Sequence, residues 1–229
     1  LVTGTPNSKT GIYGGSKAAA DNLALKDGSV VMNVSDSTLC ADIRGGGGAF
    51  GAGSSSTTDS STLQISNTTV SGYESGTNIW TGRIFGAGTA QGKDTLVKHG
   101  SSSVTIENVT GVTYDKETGE LSKEDGARVY GGGQAYRVGG GEKVFVDSAK
   151  VIVKGEKTSL AEVYGGSIVS GTSKPETSGL VVLGKSDVSV EGGTVIGYVV
   201  GGNNTNWFGR SVVGKQDDQG AYAFNGKNY

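Results

Sequence analysis

A β-branched residue, one variable residue and then Gly-Gly or Gly-Ala recur six times along this chain. The copies are Ile12-Tyr13-Gly14-Gly15, Ile43-Arg44-Gly45-Gly46, Ile84-Phe85-Gly86-Ala87, Val129-Tyr130-Gly131-Gly132, Val163-Tyr164-Gly165-Gly166 and Val199-Val200-Gly201-Gly202. A second motif alternates with the first. It reads apolar, any residue, apolar, three small or polar residues, then usually Thr or Lys and an apolar residue. It runs from Met32 to Leu39, Leu63 to Val70, Val144 to Val151 and Val188 to Val195, with a looser copy from Val104 to Gly111. Self-similarity of this size is the mark of a chain that stacks one unit on the next.

The intervals set the unit. From the first Gly of a signature to the next strand motif is 18 residues three times (14 to 32, 45 to 63, 86 to 104), then 13 and 23. From strand motif to the next Gly is 13 residues twice (32 to 45, 188 to 201), and otherwise 23, 27 and 21. The shortest unit is 31 residues (18 plus 13), and longer copies carry insertions. A stacked coil accepts these as surface loops without shifting its strands.

Composition narrows the choice of fold. Hydrophobic residues make up 34% of the chain and 42 of its 229 residues are Gly, without a collagen period. Period-two alternation in Val104-Thr105-Ile106, Val144-Phe145-Val146 and Val188-Ser189-Val190 argues for half-buried strands against disorder. The one fair helix candidate is Ala18 to Lys26. Net charge is −2 with the signs interspersed, which speaks against nucleic acid as a partner. The apolar runs are too short to span a membrane. Leu1 opens no signal peptide, so the chain reads as a mature fragment or excised piece. Cys40, the single cysteine, reads as a small buried or half-buried residue.

In each unit, three short strands separated by turns make one coil of a right-handed parallel β-helix, about one coil per 31–45 residue repeat. Two smaller coils per repeat remain the alternative, because of the 18 and 13 residue halves. Gly14, Gly45, Gly86, Gly131, Gly165 and Gly201 read as one corner ladder, with positive φ and close backbone approach as the two reasons for Gly. Residues 1–202 form the rod. Residues 203–229 lose the repeat and are aromatic-rich (Trp207, Phe208, Tyr222, Phe224, Tyr229), a cap or the start of an atypical coil. Val112 to Leu121 reads as a hairpin with its tip at Lys116 to Gly119, and Tyr73 to Gly82 as a second loop.

Catalytic and metal signals are weak. The carboxylates Asp115, Glu117 and Glu120 sit in a turn, Asp217 and Asp218 lie in the tail, and no EF-hand pattern accompanies them. His99 falls in an expected loop with no Cys or His partner, which speaks against zinc. The outward strand positions Asn33, Gln64, Thr105, Phe145 and Ser189 are not an acid–base set. No catalytic residue, metal or cofactor is expected. The sequons at Asn33, Asn67, Asn108 and Asn203 follow from turn-rich usage.

The residues after the β-branched anchors are more suggestive. If Ile12, Ile43, Ile84, Val129, Val163 and Val199 face inward, then Tyr13, Arg44, Phe85, Tyr130, Tyr164 and Val200 face outward. Arg44 at this position argues for exposure, because a buried unpaired Arg is costly. Tyr13, Phe85, Tyr130 and Tyr164 are therefore the candidate contact residues, able to stack on sugars or on protein. The alternative is that each packs under the Gly-rich loop that follows it.

Val188-Ser189-Val190-Glu191-Gly192-Gly193-Thr194-Val195, Val163-Tyr164-Gly165-Gly166 and Val129-Tyr130-Gly131-Gly132-Gly133 resemble the repeats of bacterial autotransporter passenger domains, across most of residues 11 to 202. The resemblance implies a rod that is secreted or displayed on the bacterial outer surface, commonly an adhesin or self-associating protein. Its partners would be other copies of itself, or surface glycans or proteins. The competing class is a carbohydrate-active β-helix enzyme, a polysaccharide lyase or hydrolase, which would need a groove lined by carboxylates on neighbouring coils.

Overall fold

The structure is a computed structural model. It describes residues 11–75, 78–80, 82–114, 121–122, 126–137, 139–171, 179–205, 209–213, 223–224 and 227–228. Four stacked sheets, parallel along the stack, run through it as a right-handed parallel β-helix. The first sheet stacks Gly11–Tyr13, Asp42–Arg44, Arg83–Phe85, Arg128–Tyr130, Glu162–Tyr164 and Val199–Val200. The second stacks Lys17–Ala18, Gly48–Ala49, Thr89–Ala90, Gln134–Arg137, Ile168–Gly171 and Asn204–Thr205. The third is built of long strands, Ala24–Ser35, Ser55–Ser66, Leu96–Glu107, Lys143–Lys154 and Gly179–Val190, followed by Gly209–Val213. The fourth stacks Thr38–Leu39, Thr69–Ser75, Thr110–Tyr114, Ser159–Leu160 and Thr194–Val195.

Each repeat is thus one coil, of four strands rather than three. Ile12, Ile43, Ile84, Val129, Val163 and Val199 share one rung position, at steps of 31, 41, 45, 34 and 36 residues. Val151, not Val144, is the partner of Val104 and Val188. The interval from Gly131 to its strand position is therefore 20 residues (131 to 151) rather than 13, and the outward residue beside Thr105 is Ile152 in place of Phe145. Ala18 to Lys26 is a short strand, a turn and the start of a long strand, not a helix. No helix among the described residues is long and apolar enough to cross a membrane.

Three devices hold the coils in register. Asp36, Asn67, Asn108 and Gly155 close the turn between the third and fourth sheets, all with positive φ (51°, 46°, 53° and 85°). Asn67 Nδ2 donates to Asp36 Oδ1 at 3.3 Å and Asn108 Nδ2 to Asn67 Oδ1 at 3.4 Å, so the turn is also an amide ladder. In the middle of every long strand one residue drops out of the pairing: Gly28, Asp59, Gly100, Asp147 and Gly184. These stacked bulges bend the third sheet.

The third device is the glycine corner between the first and second sheets. Gly14, Gly45, Gly86, Gly131, Gly165 and Gly201 stack one above the next. Each of the first five donates its N–H to the carbonyl preceding the next glycine, as in Gly86 N to Tyr130 O at 2.8 Å. A β-carbon on Gly14 or Gly165 would stand 2.5 Å from the carbonyl oxygen of the glycine above, and closer still on Gly45, Gly86 and Gly131. Close approach is the reason for Gly; none of the six has positive φ.

The corner presses on the middle of the long strand and divides the interior. Gly86 meets Val104 and Ser102, and Gly131 meets Val151 and Ala149. On one side lies a core of Ile43, Ile84, Val129 and Val163 against Leu63, Ile65, Val104, Ile106, Val151 and Val153. On the other lies a smaller core of Ala49, Ala90, Ala135 and Val169 against Val97, Val144, Val146, Val181 and Leu183. Each fully buried Ile, Leu or Val contributes roughly 1.5–3 kcal/mol. The unequal halves of the repeat are the two chambers of one coil.

Two insertions leave the stack as antiparallel hairpins from the fourth sheet. Thr69–Ser75 pairs with Asn78–Trp80, and Thr110–Tyr114 with Leu121–Ser122. The hairpin expected at Val112 to Leu121 is present. Its tip, Lys116 to Gly119, lies outside the described residues, as do Asp115, Glu117 and Glu120. In the tail, Gly209–Val213 pairs with the long strand Gly179–Val190, so the coil pattern runs past residue 203. Trp207, Phe208, Asp217, Asp218, Tyr222 and Tyr229 lie outside the described residues.

Candidate functional site

The outer face beside the glycine corner carries the expected contact residues. Strand alternation places Tyr13, Arg44, Phe85, Tyr130, Tyr164 and Val200 on the outer side of the first sheet, and register stacks them. The corner turns inward, so this face looks across at the outer face of the second sheet. Arg44 Nε reaches Thr89 Oγ1 at 2.5 Å, and its NH2 reaches Gln134 Oε1 at 3.1 Å.

A continuous column results. The Arg44 guanidinium lies 5.1 Å from the ring centroids of both Tyr13 and Phe85. Phe85 and Tyr130 stack at 5.1 Å and 13°, and Tyr130 and Tyr164 at 5.1 Å and 6°. Each such contact contributes about 0.5–1.5 kcal/mol beyond burial. At the first coil Tyr13 meets Phe50 edge-on at 5.8 Å, with Lys17 over the Phe50 ring.

Burial corrects the expectation of a presented ladder. Exposure is 5% at Arg44, 0% at Phe85, 1% at Tyr130 and 7% at Tyr164. Tyr13, half-buried, is the most open of the four candidate aromatics. Side chains this covered cannot lay their faces on a sugar or a protein. The packing alternative holds: the aromatics fill the angle between two sheets. The argument from Arg44 failed because this arginine is buried and paired.

Its pairing belongs to a charge ladder beside the column. Asp42 accepts from Arg44 at 2.8 Å and from Arg83 at 2.6 Å, and Arg128 pairs with Glu162 at 2.8 Å. Burial works against the Asp42 charge, but the guanidiniums of Arg83 and Arg44 outweigh it and hold the carboxyl below its usual value. Burial raises the Tyr130 phenol above the ordinary range and pushes Tyr164 up to about 12, with Glu162 adding to the shift of Tyr164. None of these groups is poised to exchange a proton near neutrality.

Inside the smaller chamber sits the other group of chemical interest. His99 lies on the long strand Leu96–Glu107, not in a loop, and is 2% exposed. Ser61 Oγ donates to Gly86 O at 2.6 Å and lies 2.9 Å from His99 Nε2. The hydroxyl has one proton, so it accepts from Nε2–H, and Nδ1 is the bare nitrogen. Nδ1 is buried with no hydrogen-bond partner. Burial pushes the imidazole down to about 4, against the opposing hydrogen bond to Ser101 O. Asp27 and Thr58 share its rung. Asp27 accepts from Ser16 N at 2.8 Å and Ser16 Oγ at 2.6 Å, and Thr58 lies 3.4 Å from Gly47 N. These polar rungs hold the corner strand from within.

Among the described residues no three His, Cys, Asp or Glu side chains gather to hold a metal ion. Sequence reasoning missed the burial of the column and the whole polar rung. Compared with family models, with curated proteins and with solved structures, the chain matches none.

Proposed function

We propose that this chain is a non-enzymatic rod that works by surface contact, holding to cells or to copies of itself. One observation carries the reading. Relative to the 13-residue joint from strand motif to glycine, the second and third coils carry 10 and 14 extra residues (23 − 13 and 27 − 13). That chain forms the two hairpins, whose outer strands add nothing to the stack. A rigid body with side elements that do not serve its own packing suits a protein whose task is to present surface. The likeness of the repeats to autotransporter passengers supports placement outside the cell, on a bacterial outer surface, with other copies, glycans or proteins as partners. Repetition along a rod lets modest contacts sum to firm attachment.

The test coats beads with the whole chain. Coated beads should cluster with one another or stay on cells under wash conditions that remove bare beads. Beads indistinguishable from bare ones in both assays would remove the proposal. Turnover of a polysaccharide by the purified chain would replace it with the enzymatic class.

A further inference from the structure

We infer that the twin hairpins of the second and third coils form a platform that binds a short neutral oligosaccharide. This rests on the contact reading above and gives it a place. The two hairpins are not separate arms. Thr69–Ser75 and Thr110–Tyr114 pair with each other in parallel from Thr69 and Thr110 out to Tyr73 and Tyr114. Asn78–Trp80 lies along the outer side of one and Leu121–Ser122 along the outer side of the other, which makes a four-stranded sheet.

Register across that sheet collects the aromatics into one row. Trp80 is opposite Tyr73, Tyr73 opposite Tyr114, and Tyr114 opposite Leu121. Residues opposite one another stand on one face. Two positions along the strand on that face comes the pair Ser75 and Asn78. Glu74 falls between these rows and so belongs to the other face. The row is thus Trp-Tyr-Tyr-Leu, bordered by a hydroxyl and an amide and free of charge. Aromatic residues beside neutral hydrogen-bonding groups match a sugar ring, which has an apolar C–H face and a rim of hydroxyls.

Size decides between a sugar and a protein. Four strands spaced about 4.8 Å apart span about 14 Å, and three residues along a strand span about 10 Å. The platform offers about 150 Å², against the roughly 800 Å² per partner of a stable protein interface. An oligosaccharide of a few units fits an area that small; a second copy of the rod does not.

The test uses the whole chain with Trp207→Phe, which leaves Trp80 as its one tryptophan. The probes are a β-1,4-linked glucose tetraose and its N-acetylglucosamine counterpart. The expected result is a saturable change of Trp80 fluorescence with at least one probe. Calorimetry on the unaltered Trp207 chain should show Tyr73→Ser/Tyr114→Ser and, separately, Trp80→Leu weakening binding about tenfold or more. Circular dichroism must stay that of the β-helix in each variant. If one variant fails to fold, the other decides. Absence of saturable binding with both probes overturns the assignment, and so does undiminished affinity in a folded variant. Hairpin-dependent dimerisation without sugar binding also overturns it. Beads that still adhere while no sugar binds sink this assignment alone. A chain that binds the tetraose while coated beads neither cluster nor hold cells sinks the wider contact reading alone.

Discussion

The early coils and the late coils solve the same packing problem with different chemistry. On the rung that faces the glycine corner from within, the chain places Asp27, Thr58 and His99 and then Val146 and Leu183. Ser61 and Ser102 bond glycine carbonyls at the corner, while the same position in the next coil is Ala149. Outside the corner, Arg44 works through hydrogen bonds and cation–π contacts, whereas Phe85, Tyr130 and Tyr164 stack face on face. The backbone ladder is continuous through both. The corner therefore needs something to press against, and either satisfied polar groups or packed apolar ones will do. The two solutions fail under different insults, because buried polar networks depend on protonation and partner count while apolar contacts depend on volume.

The largest effect is expected in the late coils. Tyr130→Ser removes a ring from the middle of the stack and should cost about 3–5 kcal/mol in urea unfolding. A loss below about 1 kcal/mol would mean the column is ornament. The glycine corner supplies a control common to both halves. Gly45→Ala and Gly165→Ala each drive a β-carbon into the carbonyl above and should each cost at least about 3 kcal/mol, within about 1 kcal/mol of one another. Unequal costs would show that the halves differ in backbone and not only in side chains.

Acid should separate the halves. His99 is held near 4 in the folded chain, against 6.5 when unfolded. The unfolded chain takes the proton first, so this contribution is intact above pH 6.5 and drains away as pH falls toward 4. The total is about 3 kcal/mol, at about 1.4 kcal/mol per pH unit. His99→Val, which copies Val146 of the next coil, should flatten this part of the stability–pH curve. An unchanged acid slope in the variant would shift the cause to other groups. The smallest effect concerns Arg44→Leu. Asp42 keeps Arg83, but Thr89 Oγ1 and Gln134 Oε1 lose their donor, for about 2 kcal/mol by chemical denaturation. A neutral outcome would mean that early coils also rest on volume alone.

The repeat was legible because Gly at the corner and β-branched residues on the inner rung are each demanded by one local constraint. The same spacing also showed the insertions, since only a hairpin or loop can absorb them. The first half of each long strand was hidden. Asp27, Thr58 and His99 face inward there, so alternation of apolar and polar residues vanishes and Ala18 to Lys26 looks helical. The fate of Tyr130 was hidden for another reason. Alternation gives the side of a strand, but not whether that side is covered, and the cover here comes from a neighbouring sheet. The Arg44 partners Thr89 and Gln134 stand 45 and 90 residues away, beyond any local pattern. The row Trp80, Tyr73, Tyr114 and Leu121 joins two insertions that sequence treats as unrelated.

The glycine ladder has a direction. Every corner glycine from Gly14 to Gly165 is locked by the carbonyl of the coil that follows it in the chain, never by one that precedes it. A coil is thus completed only when its successor arrives, and each arrival needs nothing but the edge left by the last. Assembly of this kind runs like a zip. The loop to be closed at each step is one repeat, 31–45 residues, however long the rod becomes. A chain delivered end first through a narrow opening could build such a rod as it emerges, with each new coil drawing the next one out.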